Sequence, residues 1–398
     1  MPQSVQVNAL VVDDDPLILA ILSRFLDSRG WRVATVPDGK AALEALDRDD
    51  TINLVVTDRV MPVMDGLALA RAIRARPSKS YVYCIMLTSA SQQESLVAAM
   101  EAGVDDFVGK PVSLPELGAR LHAAERVLAL EAGLAARNES LAKAYAQLSR
   151  ELDLARELQV GQLPLPAAFG NLRFEGLLVP SSFVGGDMFD WFRIGTGHVA
   201  FHVVDVSGHG VAAAMLAFNA QNLVHTVSQE HGHLLAAGAA PEAVAKSIVT
   251  EFNRRFLAMK DTSLYLTLAF GIADMQTGDA ALVQAGHPAP LHAAAPGAAF
   301  RAIGEGGVPI GMLPDPGYES LPVKLAPGAR LAIYSDGITE CTNAQGELFG
   351  EQRLKELLAA AQGRPAGEVS QLLRTTLQAW RGAPAFDDDV TCLLVDVG

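Results

Sequence analysis

Over the first 120 or so residues, short apolar runs alternate with segments of helical spacing, and this alternation constrains the fold most strongly. The apolar runs lie at 9–12, 31–36, 54–57, 83–88 and 107–108. Strands that alternate with helices predict an α/β domain with a doubly wound, five-stranded parallel sheet. In such a sheet, a functional site lies beyond the carboxyl ends of the strands.

Charged or polar residues that could bind a metal ion or a phosphoryl group lie at the ends of several of these runs. They are Asp13 and Asp14 after the first run, Asp58 after the third, Thr88 at the end of the fourth and Lys110 after the fifth. Carboxylates suit Mg²⁺, a lysine suits phosphoryl oxygens, and a carboxylate can itself accept a phosphoryl group. Acidic residues after strands also cap helices, which is the role expected for Asp15. The complete set favours a phosphoryl-accepting Mg²⁺ site.

The runs VVDDD, VVTDRVMPVMDG, MLTSAS and DDFVGKP together resemble a response-regulator receiver domain. The resemblance implies that Asp58 is the phospho-acceptor and that a sensor histidine kinase or phosphotransfer protein is the donor. It further implies roles for the residues around Asp58: Asp13 and Asp14 as the acidic pair with Asp14 on Mg²⁺, the Val60 carbonyl as another Mg²⁺ ligand, Thr88 and Lys110 on the phosphoryl group, and Phe107 as the switch aromatic.

Residues 121–163 are rich in Ala, Leu, Glu and Arg and predict a helical linker. One row recurs every seven residues, at Leu134, Leu141 and Leu148, beside a second row that Asn138 and Gln159 interrupt. This pattern is typical of a short, weak coiled coil, and it predicts a homodimer. The alternative is one amphipathic helix packed on its own chain. The predicted domains are therefore a receiver at 1–120, this linker, and a second domain at 164–398.

The second domain mixes β-rich runs with two longer helical stretches at 211–226 and 241–259, which predicts an α+β fold. Asp205 and Asp336 each follow an apolar run and precede a glycine-containing turn. Asp388 and Asp389 lead into the last apolar run. Oxygen ligands from several strand ends suit two Mn²⁺ or Mg²⁺ ions in a hydrolytic site.

The motifs GGDMFD, VDVSGHG, AGHP, YSDGITE and FDDDVT, with the preceding ELDLARELQVGQLP, resemble the SpoIIE/RsbU-like branch of the PPM phosphatases over residues 154–398. The resemblance implies a PPM β-sandwich flanked by helices and a two-metal site. It implies these roles: Asp205 bridging both ions, the Val206 carbonyl on one, Asp336 and Asp388 on the other, and Asp187 acting directly or through water. Asp389 remains an alternative to Asp388. His209 and His287 are either general acids or structural histidines.

The resulting hypothesis is a phosphorylation-controlled protein serine/threonine phosphatase. The family resemblance suggests a phosphorylated STAS-type anti-sigma-factor antagonist as the substrate. The alternative is a catalytically inactive, phosphatase-like adaptor whose partner binding is gated by receiver phosphorylation. The sequence does not show whether phosphorylation of the receiver activates or inhibits the phosphatase domain.

Charge and composition disfavour other classes. The formal net charge of -14 repels phosphate backbones and anionic lipids, so we expect no nucleic-acid or membrane partner. No apolar stretch reaches the ~18 residues that a membrane span needs. The three cysteines form no CxxC pair, which together with the absence of a signal-peptide pattern predicts a cytoplasmic protein.

Overall fold

The computed structural model describes residues 6–76, 81–89, 96–208, 210–259 and 264–398. The chain divides into two compact units, and the division falls between Gln147 and Leu148, inside one long helix. Each unit has its own buried core, and the two are described separately below.

The first unit confirms the doubly wound α/β fold. Its elements are β1 (Asn8–Val12), α1 (Pro16–Asp27), β2 (Arg32–Val36), α2 (Gly39–Arg48), β3 (Leu54–Asp58), α3 (Gly66–Ala75), β4 (Tyr83–Ser89), α4 (Leu96–Glu101) and β5 (Asp106–Lys110). All neighbours in the sheet, ordered β2-β1-β3-β4-β5, are parallel. β3 is buried along its whole length, as expected for a central strand covered by helices on both faces.

Aspartates start three of the helices in this unit. The side chains of Asp15, Asp38 and Asp65 accept hydrogen bonds from main-chain N–H groups in the first turns of α1, α2 and α3. These bonds satisfy N–H groups that have no partner within the helix. The capping role predicted for Asp15 is therefore confirmed.

A single helix, α5 (Leu114–Gln162), has 49 residues and is about 73 Å long at 1.5 Å per residue. Its first turns bury Leu117, Leu121 and Leu128 in the core of the first unit. From Leu130 to Leu148 the apolar side chains are exposed. The three leucines of the seven-residue row, Leu134, Leu141 and Leu148, are 55%, 56% and 51% exposed. Within the part of the chain that the structure describes, nothing buries this row.

The second unit is a sandwich of two sheets with helices on both outer faces. Its strands are β6 (Ala167–Phe169), β7 (Leu172–Val179), β8 (Asp187–Ile194), β9 (His198–Val206), β10 (Leu266–Asp274), β11 (Asp279–Ala285), β12 (Leu291–Ala293), β13 (Arg301–Ala302), β14 (Ser320–Lys324), β15 (Arg330–Tyr334) and β16 (Val390–Val397). Its helices are α6 (Val211–Ala236), α7 (Pro241–Met259), α8 (Asp336–Thr339), α9 (Gly350–Ala360) and α10 (Ala366–Arg381). The predicted sandwich flanked by helices is confirmed.

The sheets are ordered β14-β11-β10-β9-β8 and β13-β12-β15-β16-β7-β6. Side chains from both sheets, such as Phe174, Phe201 and Leu393, share the core between them. Helices α6 and α7 cover the outer face of the first sheet, and α9 and α10 cover the outer face of the second. This arrangement brings the ends of β8, β9, β15 and β16 to the same region.

The prediction for this unit was incomplete in two respects. It contained only the helices that correspond to α6 and α7, so α8, α9 and α10 were missed. It also missed the short strands β6, β12, β13 and β14, and it missed β8 because Asp187, Asp190 and Arg193 interrupt the apolar run of that strand. Eight residue pairs with β9 hold β8 in the sheet in spite of these polar residues.

Two glycines in the sandwich leave room for aromatic rings. A β-carbon at Gly271 would overlap the ring of Phe201, and one at Gly176 would overlap the ring of Phe189. Gly133 in α5, by contrast, has open space around it. Small residues opposite large ones are one way in which a close-packed interior is filled.

We therefore expect Gly271→Ala to destabilise the second unit by about 1–3 kcal/mol through overpacking. The matched variant Gly133→Ala should stabilise α5 by roughly 0.5–1 kcal/mol, because alanine favours an exposed helix interior. Urea unfolding followed by circular dichroism measures both. Equal effects of the two substitutions would contradict this account of the core.

Candidate functional site

In the first unit, three carboxylates and one lysine lie together at the carboxyl edge of the sheet. Ligand oxygens of Asp13, Asp14 and Asp58 all lie within 4.8 Å of one another, with Asp13 and Asp58 buried and Asp14 exposed. The Lys110 Nζ lies 2.7 Å from Asp58 Oδ1 and 3.3 Å from Asp13 Oδ2. The structure thus places these four predicted residues side by side.

The charges of this group are only partly balanced. Burial raises the pKa of Asp13, and the Asp15 amide and the Lys110 ammonium offset this only in part. Burial also works against the charge on Lys110, but its contacts with Asp58 and Asp13 outweigh burial and raise its pKa. Three carboxylates therefore share one ammonium group, and this excess of oxygen ligands fits a divalent cation.

The other predicted receiver residues surround this group. Thr88 follows Leu87, whose strand partner is Asp58, and Thr88 itself pairs with Gly109. Val60 lies in the loop after β3, and its side chain is 61% exposed. Phe107 on β5 is half-buried beneath the Arg120 guanidinium, 5.8 Å from the ring centroid. The roles assigned to these residues remain predictions.

In the second unit, acidic residues come from the ends of four strands. Asp187 on β8 lies directly opposite Asp205 on β9. Asp336 begins α8, just after β15, and Asp388 shortly precedes β16. Burial, together with the nearby charges of Asp336 and Asp388, raises the pKa of Asp205 to about 7. These four residues are therefore electrostatic neighbours, as the sequence predicted.

Asp187 is the most deeply buried of them, at 1% exposure. Burial, together with the charges of Asp205 and Asp389, raises its pKa well above the usual range. Its Oδ2 has no hydrogen-bond partner among the residues that the structure describes. A buried carboxylate oxygen without a partner is costly, and a divalent cation would satisfy it. The donor set therefore fits the predicted metal site.

This second set is more open than the receiver group. Across the described residues, only Asp13, Asp14 and Asp58 form a set of three or more whose ligand atoms all lie within 4.8 Å. Asp388 is exposed, whereas Asp205 and Asp336 are half-buried. Among the described residues, no three carboxylates of the second set therefore approach one another as closely as those of the receiver unit do.

The structure distinguishes the two adjacent aspartates before β16. Asp389 is 4% exposed, and its oxygens accept hydrogen bonds from Ser181 N, Ser181 Oγ and Gly186 N at 2.7, 2.9 and 2.6 Å. A longer bond of 3.4 Å comes from Asp187 N. Both oxygens of Asp389 therefore anchor the segment 181–187. This favours Asp388 as the metal ligand, although that role remains a prediction.

Glycines allow neighbouring main-chain segments to pack closely against Asp389 and Val206. A β-carbon at Gly185 would overlap the carboxylate of Asp389, and one at Gly337 would overlap the main-chain oxygen of the same residue. At Gly186 it would lie 2.9 Å from the carbonyl oxygen of Val206, the predicted metal-binding carbonyl. The glycines of the GGD and SDG motifs are thus needed for packing around the acidic residues.

Family comparisons agree with this arrangement. The family model for Stage II sporulation protein E (SpoIIE) matches residues 195–398, and the model for the response regulator receiver domain matches residues 9–122. The chain belongs to the SpoIIE family. It is a response regulator in which a receiver domain is fused to a SpoIIE-type, PPM-type phosphatase domain.

Two curated relatives share this SpoIIE-family similarity. Protein IcfG of Synechocystis is 26% identical over 262 residues, which are 62% of this chain and 41% of IcfG. Phosphoserine phosphatase RsbP of Bacillus subtilis is 26% identical over 259 residues, which are 62% of this chain and 58% of RsbP. The chain thus spans about half the length of these relatives.

Among solved structures, the SiaA-PP2C domain of Pseudomonas aeruginosa superposes with a TM-score of 0.55 at 23% identity. The match covers 64% of this chain and 99% of the SiaA domain. This similarity supports the PP2C-like fold of the SpoIIE-type unit. No described helix of the chain is both long and apolar enough to cross a bilayer.

The sequence did not decide whether His209 and His287 are general acids or structural histidines. His287 is 1% exposed, and its Nδ1 lies 2.8 Å from the Thr267 hydroxyl. Burial lowers the pKa of His287 to about 3, so the ring is neutral near pH 7 and favours the structural interpretation. His209 lies outside the described residues. Sequence reasoning did not find Ser181, because its bond to Asp389 joins positions 208 residues apart.

We expect Asp187→Asn to stabilise the chain in EDTA at pH 8 by about 1–3 kcal/mol, because it removes a buried charge that faces Asp205. A raised folded-state pKa means that the carboxylate destabilises the fold above its usual pKa, and the amide lacks this penalty. The same change should diminish the stabilisation by Mn²⁺. Thermal unfolding with and without Mn²⁺ measures both effects.

Asp396→Asn is the matched control, because Asp396 pairs with the buried Arg330 at 2.6 and 2.7 Å. Its loss should destabilise the chain by about 3 kcal/mol and leave the response to Mn²⁺ intact. Destabilisation by Asp187→Asn to the same extent would contradict the interpretation of Asp187 as a metal-site residue.

Proposed function

We propose that the SpoIIE-type unit is a metal-dependent phosphoprotein serine/threonine phosphatase controlled by the receiver unit. The observation that carries this proposal is the pair Asp187 and Asp205, which lie opposite each other on adjacent strands, with the charges of Asp336 and Asp388 close to Asp205 and that of Asp389 close to both. Such a set is unfavourable by itself and suited to divalent cations. The name of RsbP, a phosphoserine phosphatase, supports the same reaction class.

In this mechanism, Asp205, the Val206 carbonyl, Asp336 and Asp388 would hold two Mn²⁺ or Mg²⁺ ions, with Asp205 shared by both ions. Asp187 would act on a metal directly or through water. The ions, when bound, activate water and neutralise the phosphoryl oxygens of the substrate. The chain's part is to fix these oxygen ligands, and Asp389 does so by anchoring the segment before β8. The proposed substrate is a phosphorylated STAS-type anti-sigma-factor antagonist in partner-switching signalling.

We expect hydrolysis of p-nitrophenyl phosphate that depends on Mn²⁺ and falls by at least about 100-fold in Asp205→Ala and in Asp336→Ala, because each change removes a charge-bearing ligand. Asp279→Ala, which removes an exposed carboxylate paired with Lys324, serves as the control and should keep full activity. Steady-state kinetics at saturating Mn²⁺ measure this. Absence of hydrolysis in the wild-type chain would favour the adaptor function instead.

For the receiver unit, we propose that Asp58 is phosphorylated by a sensor histidine kinase or a phosphotransfer protein, with one Mg²⁺ held by Asp13, Asp14, Asp58 and the Val60 carbonyl. The 2.7 Å contact between Lys110 and Asp58 supports this, because the ammonium group is in place to bind phosphoryl oxygens. Thr88 and Phe107 would then respond to the new charge and change the face of β5 and α5.

Beryllofluoride should raise the phosphatase rate of the wild-type chain, and Asp58→Ala should abolish this rise, because the mimic needs the Asp58 carboxylate. Asp50→Ala removes an exposed carboxylate of the same unit and should leave the rise unchanged. Initial rates with and without beryllofluoride provide the measurement. The same rise in the Asp58 variant would refute control through this site.

We further propose a cytoplasmic homodimer joined through the helical linker at 121–163, between the receiver at 1–120 and the phosphatase domain at 164–398. Leu134, Leu141 and Leu148 support it, because they are more than half exposed and recur every seven residues. A second copy of the chain would bury this row.

A further inference from the structure

The C-terminal end of the long helix α5 belongs to the SpoIIE-type unit and makes a specific polar contact within it. The Gln159 Nε2 donates a hydrogen bond of 2.8 Å to the Gly185 carbonyl, and the Gly185 N–H donates one of 3.1 Å to Gln159 Oε1. The side-chain amide thus pairs with the main chain of Gly185 much as a neighbouring strand would. Glutamine can do this because its amide carries both a donor and an acceptor.

Gly185 belongs to the segment that leads into the buried Asp187. The main-chain groups of this segment are fully occupied: Gln159 holds the N–H and carbonyl of Gly185, Asp389 accepts from the N–H of Gly186, and the N–H of Val206 donates to the carbonyl of Gly186 at 3.2 Å. Three partners therefore fix this segment, and two of them adjoin predicted metal-site residues. Gln159 is the partner that comes from α5.

We propose that Gln159 is a positioning residue for the metal site, through which α5 sets the placement of Gly185, Gly186 and Asp187. This inference rests on the proposed two-metal function. Loss of the Gln159 bonds frees one side of the segment, while the bonds from Asp389 and Val206 remain. The expected result is a weaker metal site in a folded chain, since residues that orient metal ligands typically change affinity by about 10–100-fold.

The position of Gln159 also makes it a route for control. α5 is one continuous helix that begins at Leu114 beside β5 of the receiver unit. A rotation or shift of this helix would change the Gln159 bonds, because the side-chain amide must meet two main-chain groups at once. Coupling between sites requires an element with two arrangements, and in this proposal the made and the broken Gln159 contact are those two arrangements.

The test uses the full-length chain and Mn²⁺, with the rise in melting temperature during a Mn²⁺ titration as the readout. Gln159→Ala removes both bonds, and Gln159→Met removes them while keeping helix propensity and volume. Both should raise the Mn²⁺ concentration at the midpoint of the stabilisation by about tenfold. Gln162→Ala, which changes an exposed glutamine in the last position of α5, should leave the midpoint unchanged.

Melting in EDTA checks that each variant folds. A midpoint equal to that of the wild-type chain in either folded Gln159 variant overturns the positioning role. If the wild-type chain shows no Mn²⁺-dependent stabilisation, the proposed metal site itself fails, and this outcome is distinct from the first.

Control through Gln159 is tested by adding beryllofluoride to the same titration. It should shift the wild-type midpoint and leave the midpoint of Gln159→Met in place. An unchanged wild-type midpoint, or an equal shift in both proteins, overturns the control step.

Discussion

The site of the second unit depends on holding several carboxylates close together in a partly buried place, where their negative charges are unfavourable. Asp187 and Asp205 lie opposite each other on β8 and β9. Burial raises the pKa of both residues, and the charge of Asp205 raises the pKa of Asp187 further. The fold holds them together through the eight residue pairs of β8 and β9 and through Asp389, which accepts its bonds from the segment before β8. The sandwich core therefore stabilises a site that by itself destabilises the chain, which is typical of functional sites.

In the receiver unit, a lysine balances part of the negative charge of the clustered carboxylates. Lys110 supplies a positive charge within 2.7 Å of Asp58 and 3.3 Å of Asp13, and the three carboxylates there lie within 4.8 Å of one another. In the SpoIIE-type unit, burial and neighbouring carboxylates instead raise the pKa values of Asp187 and Asp205.

The sequence predicted what is encoded locally. Apolar runs and acidic residues at their ends predicted the strands of the receiver unit and most strands of the sandwich, and the motifs predicted which carboxylates meet near Asp205. It could not predict bonds between distant positions, such as Ser181 with Asp389, which are 208 residues apart. It also missed β8, in which charged residues interrupt the apolar run but which pairs with β9 along its whole length. These features depend on tertiary contacts that no local pattern reports.

The helix α5 shows how an interruption of a pattern can carry information. Gln159 interrupts the second apolar row of α5, and helix periodicity predicts that this interruption weakens the coiled coil. In the structure it pairs with both main-chain groups of Gly185, while Leu154 and Leu158 on the same part of the helix stay exposed. A polar residue in an apolar row loses seam stability, and a sequence retains such a loss where another contact requires the residue. At this break in the row, the helix contacts the segment that leads into Asp187 instead of presenting another apolar side chain.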